Sequence, residues 1–372
     1  MHREYMAEGN IKGVKAQNNI MVFIGNGFDI SVLKKYRSDN LISSYSKFYD
    51  YLVYKEFNKN NILYKKMGED KDQGKENWSD FECTLGKLIH AAVPQEELQD
   101  ALSEIQNMFL LFLNEIVTPE ILIKLSDDAA ARQWSITSLS RFLGDLTRED
   151  FEKMEFPGKT DHYHMMNYLF INFNYTSLFD DYIYLDKVQH DRQPNRTIDT
   201  NFTFIPNPNK YAYSKNRKDG EEIKWSSFIM TDIIHPHGYQ NIPRSLLFGV
   251  ESVEYKNDKS RRRFNKSYWA QDDQKYKTYF ANTDLYIIYG ASMGETDSWW
   301  WRNIYESLKN RKSELLIYYY NPENLTAEKI KQIFIDGCNL SEESEKVKKQ
   351  VKEKIYVVSY DDSRAVTLFH LD

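Results

Sequence analysis

The chain has little of what would mark it for an oxidising compartment or a membrane. Only two of its 372 residues are cysteine, Cys83 and Cys338, and they lie far apart without any C-x-x-C pair. This excludes a four-cysteine zinc site and a disulfide framework. The longest apolar runs, such as 108–113, are far too short to span a bilayer, and residues 1–19 lack the apolar segment of a secretory signal. We therefore expect a soluble, cytoplasmic protein without a membrane partner.

Positive charge is not in excess either. Lysine and arginine number 49 against 55 aspartates and glutamates, which gives a net charge of −6. The chain lacks the overall positive charge that is typical of proteins that bind nucleic acids, so we do not expect nucleic acid as a partner. The one dense basic run, Arg261 to Arg263, is typical of a solvated loop or helix start, with a phosphate or nucleic-acid contact as the alternative.

Apolar and aromatic residues are plentiful by comparison. Hydrophobic residues make up 41% of the chain and aromatic residues 15%, with 27 tyrosines and 21 phenylalanines. This is enough for a real core, and the length allows two domains or one large α/β domain with an insertion.

Short apolar runs predict the strands of such a domain. Several run straight into Gly, Asn or His, and they lie at 20–24, 168–172, 230–234, 246–250, 285–289, 315–320 and 355–359. Helical periodicity dominates between the first two runs, notably over 78–92 and 95–117, while 66–77 and 192–222 are typical of charged or polar loops. We expect an α/β fold with a mainly parallel Rossmann-like sheet. Its core comprises 17–39 and 161–330, residues 40–160 form a helical insertion, and 331–372 complete the core.

Four motifs stand directly after predicted strands. They are GNGFD at 25–29, FNYT at 173–176, HPHG at 235–238 and YGASMGETD at 289–297. Each alone is explained by a turn or a helix cap. Because ligands bind outside the carboxyl ends of parallel strands, the four together predict one nucleotide pocket.

The same motifs carry a family resemblance. Together with WSDFE at 78–82 and LLFGV at 246–250, their order over about residues 20 to 320 resembles the bacteriophage abortive infection AbiH family. That resemblance implies an anti-phage role. The order is also distantly similar to the sirtuin fold, which implies an NAD-shaped pocket.

The sirtuin-like resemblance implies roles for individual residues. Asn174 would orient the nicotinamide ribose or a water, and His237 would be the base. The residues expected to contact the nucleotide are Gly25, Asn26, Gly27, Phe28, Asp29, Tyr175, Gly290, Ser292, Glu295 and Asp297.

Several sequence features of sirtuins are missing, and their absence limits the reactions that we expect. Paired zinc-binding cysteines and an extended Gly-Ala-Gly turn are missing, and Thr176 replaces an expected Asp. Protein deacylation is therefore not expected. We expect NAD as a substrate or ligand rather than a prosthetic group, with hydrolysis at the nicotinamide–ribose bond.

Metal-dependent hydrolysis is one alternative. His235 and His237 lie at i and i+2, as in H-x-H metal pairs, and His162 with His164 forms a second such pair. Asp232 or Asp161 would supply the third ligand that a catalytic metal needs. For the NAD-binding site that we predict, we nevertheless expect no metal ion.

A non-enzymatic role is a second alternative. The pocket would then bind NAD, ADP-ribose or another nucleotide only to switch an oligomer, while the helical insertion contacts a phage component. In either case we expect a homo-oligomer and a phage-encoded trigger or companion defence protein.

Two further residue sets have competing explanations. Ser79 and Glu82 fit the S-x-x-E capping box of the 78–92 helix, with an active-site carboxylate as the alternative for Glu82. In the predicted helix 298–308, Trp300 and Trp301 recur with apolar residues at helical spacing, which favours packing over base stacking.

Overall fold

A single parallel sheet organises the molecule. The computed structural model describes residues 16–91, 93–156, 164–183, 228–242, 245–251, 258, 261–340 and 343–372. All pairings between its strands are parallel, in the order β3-β2-β1-β4-β5-β6. The strands are β1 (Ala16–Ile24), β2 (His164–Asn172), β3 (Phe228–Ile234), β4 (Leu285–Tyr289), β5 (Glu314–Tyr320) and β6 (Ile355–Tyr360). This is the strand order of dinucleotide-binding Rossmann sheets, and the predicted fold class is confirmed.

Helices surround the sheet. After β1 comes α1 (Asn26–Tyr36). In the described residues between α1 and β2 there are seven α-helices: α2 (Tyr45–Tyr54), α3 (Ile62–Asp72), α4 (Phe81–His90), α5 (Gln95–Ile116), α6 (Pro119–Arg132), α7 (Trp134–Arg141) and α8 (Arg148–Lys153). The later α-helices in the described part of the chain include α9 (Lys266–Ala270), α10 (Asp272–Lys275), α11 (Ser298–Asn310), α12 (Ala327–Gly337) and α13 (Glu345–Lys352). We call α2–α8 the helical block. The division of the chain into core and insertion stays a prediction.

The central strand shows why the sheet is covered on both faces. Side chains alternate between the faces of a strand. Ile20, Val22 and Ile24 accordingly join the core that contains the helical block, while Met21 and Phe23 join the core under α11 and α12. All five are completely buried. A strand buried on both sides explains the continuous apolar run in the sequence.

Six of the seven predicted strands are present. The exception is 246–250, which forms an extended connector with a single bridge, from Val250 to Asn265. Its backbone N–H groups are satisfied elsewhere, because Leu247 donates to the carbonyl of His237 and Gly249 to the Glu82 carboxylate. Apolar side chains such as Phe248 still pack into the core, which is why the run looks like a strand.

The charged segment 66–77 was predicted as a connector, and this is wrong for its first half. α3 continues to Asp72, because Asp70 is buried within this helix and forms ion pairs with Lys66, Lys75 and Lys87. The predicted loop 192–222 lies outside the described residues. Among the described helices, none has the length and apolar character needed to cross a membrane.

Candidate functional site

The carboxyl ends of the central strands open into one large cavity. Its volume is about 1030 Å³, and it is lined by the segments that follow β1, β2, β3 and β4 together with residues of the helical block. β1 lies between β2 and β4, so the cavity lies where the strand order reverses, the position at which open α/β sheets bind ligands. The lining includes Gly25, Asn174, His237, Gly290 and Asp297. The structure thus brings the four predicted motifs to one edge of the sheet.

The glycine pair after β1 has a packing role that the sequence did not indicate. The Gly27 N–H donates to the Gly290 carbonyl at 2.8 Å, and the Gly25 N–H to the Tyr289 carbonyl at 2.9 Å. A Cβ on Gly27 would lie 2.7 Å from the Gly290 Cα, and one on Gly25 would lie 2.5 Å from the Ala291 Cα. Glycine is required because the turns after β1 and β4 are in backbone contact. These two N–H groups therefore already have protein acceptors.

Asn26 also has protein partners. Its amide donates to the Ser43 carbonyl at 2.7 Å, and its side-chain oxygen accepts from the Ser43 hydroxyl at 2.5 Å. Asn26 thereby fixes the segment that leads into α2 against the first turn of α1.

Asp29 forms the centre of a buried polar cluster. Asn174 donates to one carboxylate oxygen of Asp29 at 2.9 Å, and Thr176 donates to the other at 2.5 Å. Asn174 also donates to the Gly25 carbonyl at 3.2 Å. Burial is the main cause that raises the pKa of Asp29 to about 7. Thr176, noted only as a departure from the sirtuin pattern, is therefore a direct partner of Asp29.

A chain of charged side chains also lines the cavity. His237 Nε2 lies 3.2 Å from Asp297 Oδ1, and the same oxygen lies 3.3 Å from Lys266 Nζ. Lys266 Nζ also lies 2.9 Å from Glu82 Oε2. We call Glu82, Lys266, Asp297 and His237 the buried charge chain, since Asp297, the most accessible side chain of the four, is only 20% exposed.

The electrostatics of the buried charge chain favour a neutral histidine between fixed charges. Burial lowers the pKa of His237, and the Lys266 cation lowers it further, whereas Asp297 and a hydrogen bond to the Phe173 backbone act in the opposite direction. Burial alone would raise the pKa of Asp297, but Lys266 and His237 outweigh it and hold that pKa well below its usual range. The His237 ring is also stacked on Phe173, with ring centroids 4.8 Å apart.

Glu82 was predicted mainly as part of a capping box, and this is wrong. Asp80, not Ser79, is the N-cap of α4, because its carboxylate accepts from the N–H groups of Glu82 and Cys83. The Glu82 side chain turns into the cavity wall, where it accepts from the Gly249 N–H at 3.0 Å and pairs with Lys266. Burial raises the pKa of Glu82 to about 7 despite the nearby lysine.

The two histidines of HPHG have different partners. His235 Nε2 lies 2.9 Å from Asp180, and its Nδ1 lies 3.1 Å from the Asn174 carbonyl, whereas His237 faces Asp297. Within the described part of the chain, no group of three or more His, Cys, Asp or Glu side chains is arranged to hold a metal ion. His162 and Asp161 lie outside that part.

Not all of the other residues predicted to contact the nucleotide line the cavity. Phe28 is buried in the core against Phe179 rather than on the cavity wall. Tyr175 lines the cavity and donates its hydroxyl to the Leu247 carbonyl at 3.0 Å, and Ser292 lies on the wall near the surface. Glu295 is exposed and does not line the cavity. The ligand contacts of these residues stay predictions.

Lys266 is a buried charged residue of the cavity that was not predicted from the sequence. It lies shortly after the more conspicuous basic run Arg261 to Arg263. Its neighbour Trp269 is 52% exposed, whereas Lys266 is only 5% exposed. A lone lysine in a polar stretch carries no mark of burial in the sequence, since its two carboxylate partners are 184 and 31 residues away.

Fold and cavity together define an α/β protein with a dinucleotide-type parallel sheet and a charged cavity at the strand-order reversal. The sequence model of a known family, bacteriophage abortive infection AbiH, matches residues 21–319. The chain belongs to the AbiH family. Membership of this family indicates a role in abortive infection, a defence against phage. A search of curated proteins finds no match.

Proposed function

We propose that this protein is an abortive infection effector that binds NAD in the cavity and hydrolyses it at the nicotinamide–ribose bond. The observation that carries the proposal is the meeting of the His237–Asp297 pair with Asn174 in a cavity at the strand-order reversal of a dinucleotide-type sheet. A volume of about 1030 Å³ is just above the ~300–1,000 Å³ typical of ligand pockets. The cavity is thus large enough for an extended dinucleotide.

At the ribose C1′ of NAD, the reaction breaks one bond and forms another. The bond between the ribose C1′ and the nicotinamide nitrogen breaks, and its electron pair neutralises the pyridinium ring. The oxygen of a water molecule bonds to C1′, and the proton that it loses passes to His237. The products are nicotinamide, ADP-ribose and a proton, so no oxidant or metal is consumed.

The charges of Asp297 and His237, two members of the buried charge chain, favour this reaction. The transition state carries positive charge on the ribose, and a fixed anion close to developing positive charge is an effective stabiliser. Asp297 stays ionised because its pKa is held low despite burial, and the Lys266 cation is the strongest of the groups that lower that pKa. His237 has a lowered pKa and is neutral near pH 7, which is the state that accepts a proton.

The test uses the purified protein and infected cells. We expect wild-type protein to release nicotinamide from NAD, measured by liquid chromatography and mass spectrometry, and NAD to fall in phage-infected cells that express it. His237→Asn removes the proton acceptor at similar size and should abolish both effects. His235→Asn is the matched control, since its ring faces Asp180 instead. Intact phage protection with unchanged NAD and NADP would refute the proposal.

One observation favours a second candidate, a protein that binds a nucleotide without cleaving it. Nε2 of His237 faces Asp297, and the ring also has a hydrogen bond to the Phe173 backbone. A water could reach a ring nitrogen only by displacing one of these partners. In this alternative NAD or ADP-ribose would switch a homo-oligomer, and the helical block would contact a phage-encoded trigger or companion protein.

Binding without turnover separates the two candidates. Calorimetric titration with NAD and with ADP-ribose measures binding, and sedimentation with each ligand measures the oligomeric state. Saturable binding and a ligand-dependent change in mass, with no nicotinamide released, would support the switch. Nicotinamide release that depends on His237 would exclude it.

A further inference from the structure

Lys266 connects three parts of the chain that are distant in sequence. Glu82 lies on α4 of the helical block, Lys266 begins α9, and Asp297 precedes α11. We propose that Lys266 is a positioning residue, which fixes Asp297 against His237 and makes the helical block a part of the site. The inference rests on the proposed function only in taking His237 and Asp297 as the working pair.

Folding alone gives little reason for a lysine at this position. Lysine is almost never fully buried unless it is paired, and Lys266 is 5% exposed. A buried ion pair is often no more stabilising than apolar side chains of similar volume. Burial works against the Lys266 cation, but Asp297 and Glu82 outweigh it and hold its pKa well above the usual value. The lysine is therefore a permanent charge inside the cavity wall.

The geometry shows what this charge holds in place. Asp297 Oδ1 is shared between Lys266 Nζ at 3.3 Å and His237 Nε2 at 3.2 Å. The same oxygen of Asp297 is thus held by two groups, and one of them is the proposed base. In the described part of the chain, the His237 ring also faces the ring and backbone of Phe173 and the ring of Tyr175. Within the buried charge chain, Lys266 is thus the cation that contacts the Asp297 carboxylate of this pair.

The helical block holds Lys266 in turn. Glu82 Oε2 accepts from Lys266 at 2.9 Å, and Glu82 Oε1 is fixed by the Gly249 N–H. The hydroxyl of Tyr45, from α2, lies 3.4 Å from Glu82 Oε2. A displacement of α4 relative to the sheet would therefore pull on Lys266 and, through it, on Asp297.

The test measures the titration of His237 and does not require any NAD activity. The variants are Lys266→Met, which removes the charge at similar length, and Lys266→Arg, which keeps it. The His237 ring signal is assigned in nuclear magnetic resonance spectra by its loss in His237→Asn. Because the Lys266 cation lowers the pKa of His237, we expect that pKa to rise in Lys266→Met and to stay near the wild-type value in Lys266→Arg.

The matched control is Lys87→Met. Lys87 lies 2.7 Å from the buried carboxylate of Asp70 in the same helical block, but it does not line the cavity. Its loss should lower thermal stability and leave the His237 titration unchanged. If Lys266→Met does not fold, Lys266→Gln removes the charge while keeping an amide donor and gives the same comparison.

Activity provides the second measurement. We expect Lys266→Met to slow nicotinamide release about 10²-fold, since misplacing a catalytic group by about 1 Å can cost that much, and Lys266→Arg to retain more of the rate. An unchanged His237 titration in a folded, uncharged variant would overturn the inference. If the titration shifts but the wild type never cleaves NAD, the positioning role stands and the proposed reaction fails.

Discussion

Replacing Gly27 by alanine separates the packing role of the glycine pair from a ligand-binding role. The new methyl group would lie 2.7 Å from the Gly290 Cα and 3.0 Å from its carbonyl oxygen. Both atoms belong to the backbone, so no flexible side chain can give way. Overpacking typically costs about 1–3 kcal/mol, and we expect the upper end of that range.

The expected shift in melting temperature follows from the size of the chain. An unfolding entropy of about 2.1 cal/mol/K per residue gives about 0.8 kcal/mol/K for the chain of 372 residues. A loss of about 3 kcal/mol should therefore lower Tm by about 4 °C in differential scanning calorimetry.

The control is Gly294→Ala, in the turn after β4. Gly294 has a φ of −69°, and the nearest atom to a new Cβ there is a side-chain oxygen at 3.6 Å. We expect its Tm to change by less than about 1 °C, as for other substitutions that meet no special feature. If Gly27→Ala kept the wild-type Tm but lost nucleotide binding, the packing explanation would be wrong and the glycine would serve the ligand.

Further predictions concern the core, the buried acid and the proposed base. Trp301→Ala should lower the free energy of unfolding by about 3–5 kcal/mol, because Trp301 is 1% exposed and packs on Phe23. The loss would be measured as a lower Tm, and an equally stable but inactive variant would point to ligand stacking. Asp29 has its pKa raised to about 7 from 3.8, so the folded state binds the extra proton and loses stability as pH rises from about 4 to 7. Asp29→Asn should remove up to about 1.4 kcal/mol per pH unit of that loss in denaturant titrations, and an unchanged slope would show that Asp29 is ionised throughout. His237→Ala should keep the fold and lower the rate of NAD cleavage about 10²–10⁴-fold, whereas His235→Ala should matter less; equal losses accompanied by loss of bound metal, measured by mass spectrometry, would favour a metal enzyme.

The fold could largely be read from the sequence, and the reason is physical. β1 is buried on both faces, so its apolar run is continuous and bounded by glycine. β4 repeats that pattern, with five buried residues before Gly290, whereas the edge strands β3 and β6 are only partly buried. The connector 246–250 shares the apolar content because Leu246, Phe248 and Val250 are also buried. Apolar content reports burial, and only hydrogen-bond partners distinguish a strand from an extended connector.

The candidate site could be predicted only in part. The motifs that follow strands meet at one edge because parallel strands end there, so Asn174 and His237 could be paired without coordinates. A site role for Glu82 was predicted only as an alternative and Lys266 was not predicted, since their contact depends on how α4 packs against the segment after β3. The same applies to Thr176, whose partner Asp29 lies 147 residues earlier.

The place of β1 in the sheet has a consequence for synthesis on the ribosome. β1 is made first, yet it pairs with β2 and β4, whose partners to Ile20 are Tyr168 and Leu285. The cavity cannot close until Asp297 has been translated, which at about 5–20 residues per second takes at least ten seconds or so after Gly25. Until then the nascent chain holds every early segment of the cavity without the late ones. A ribosome that stops before residue 297 therefore releases a chain that lacks one wall of the site.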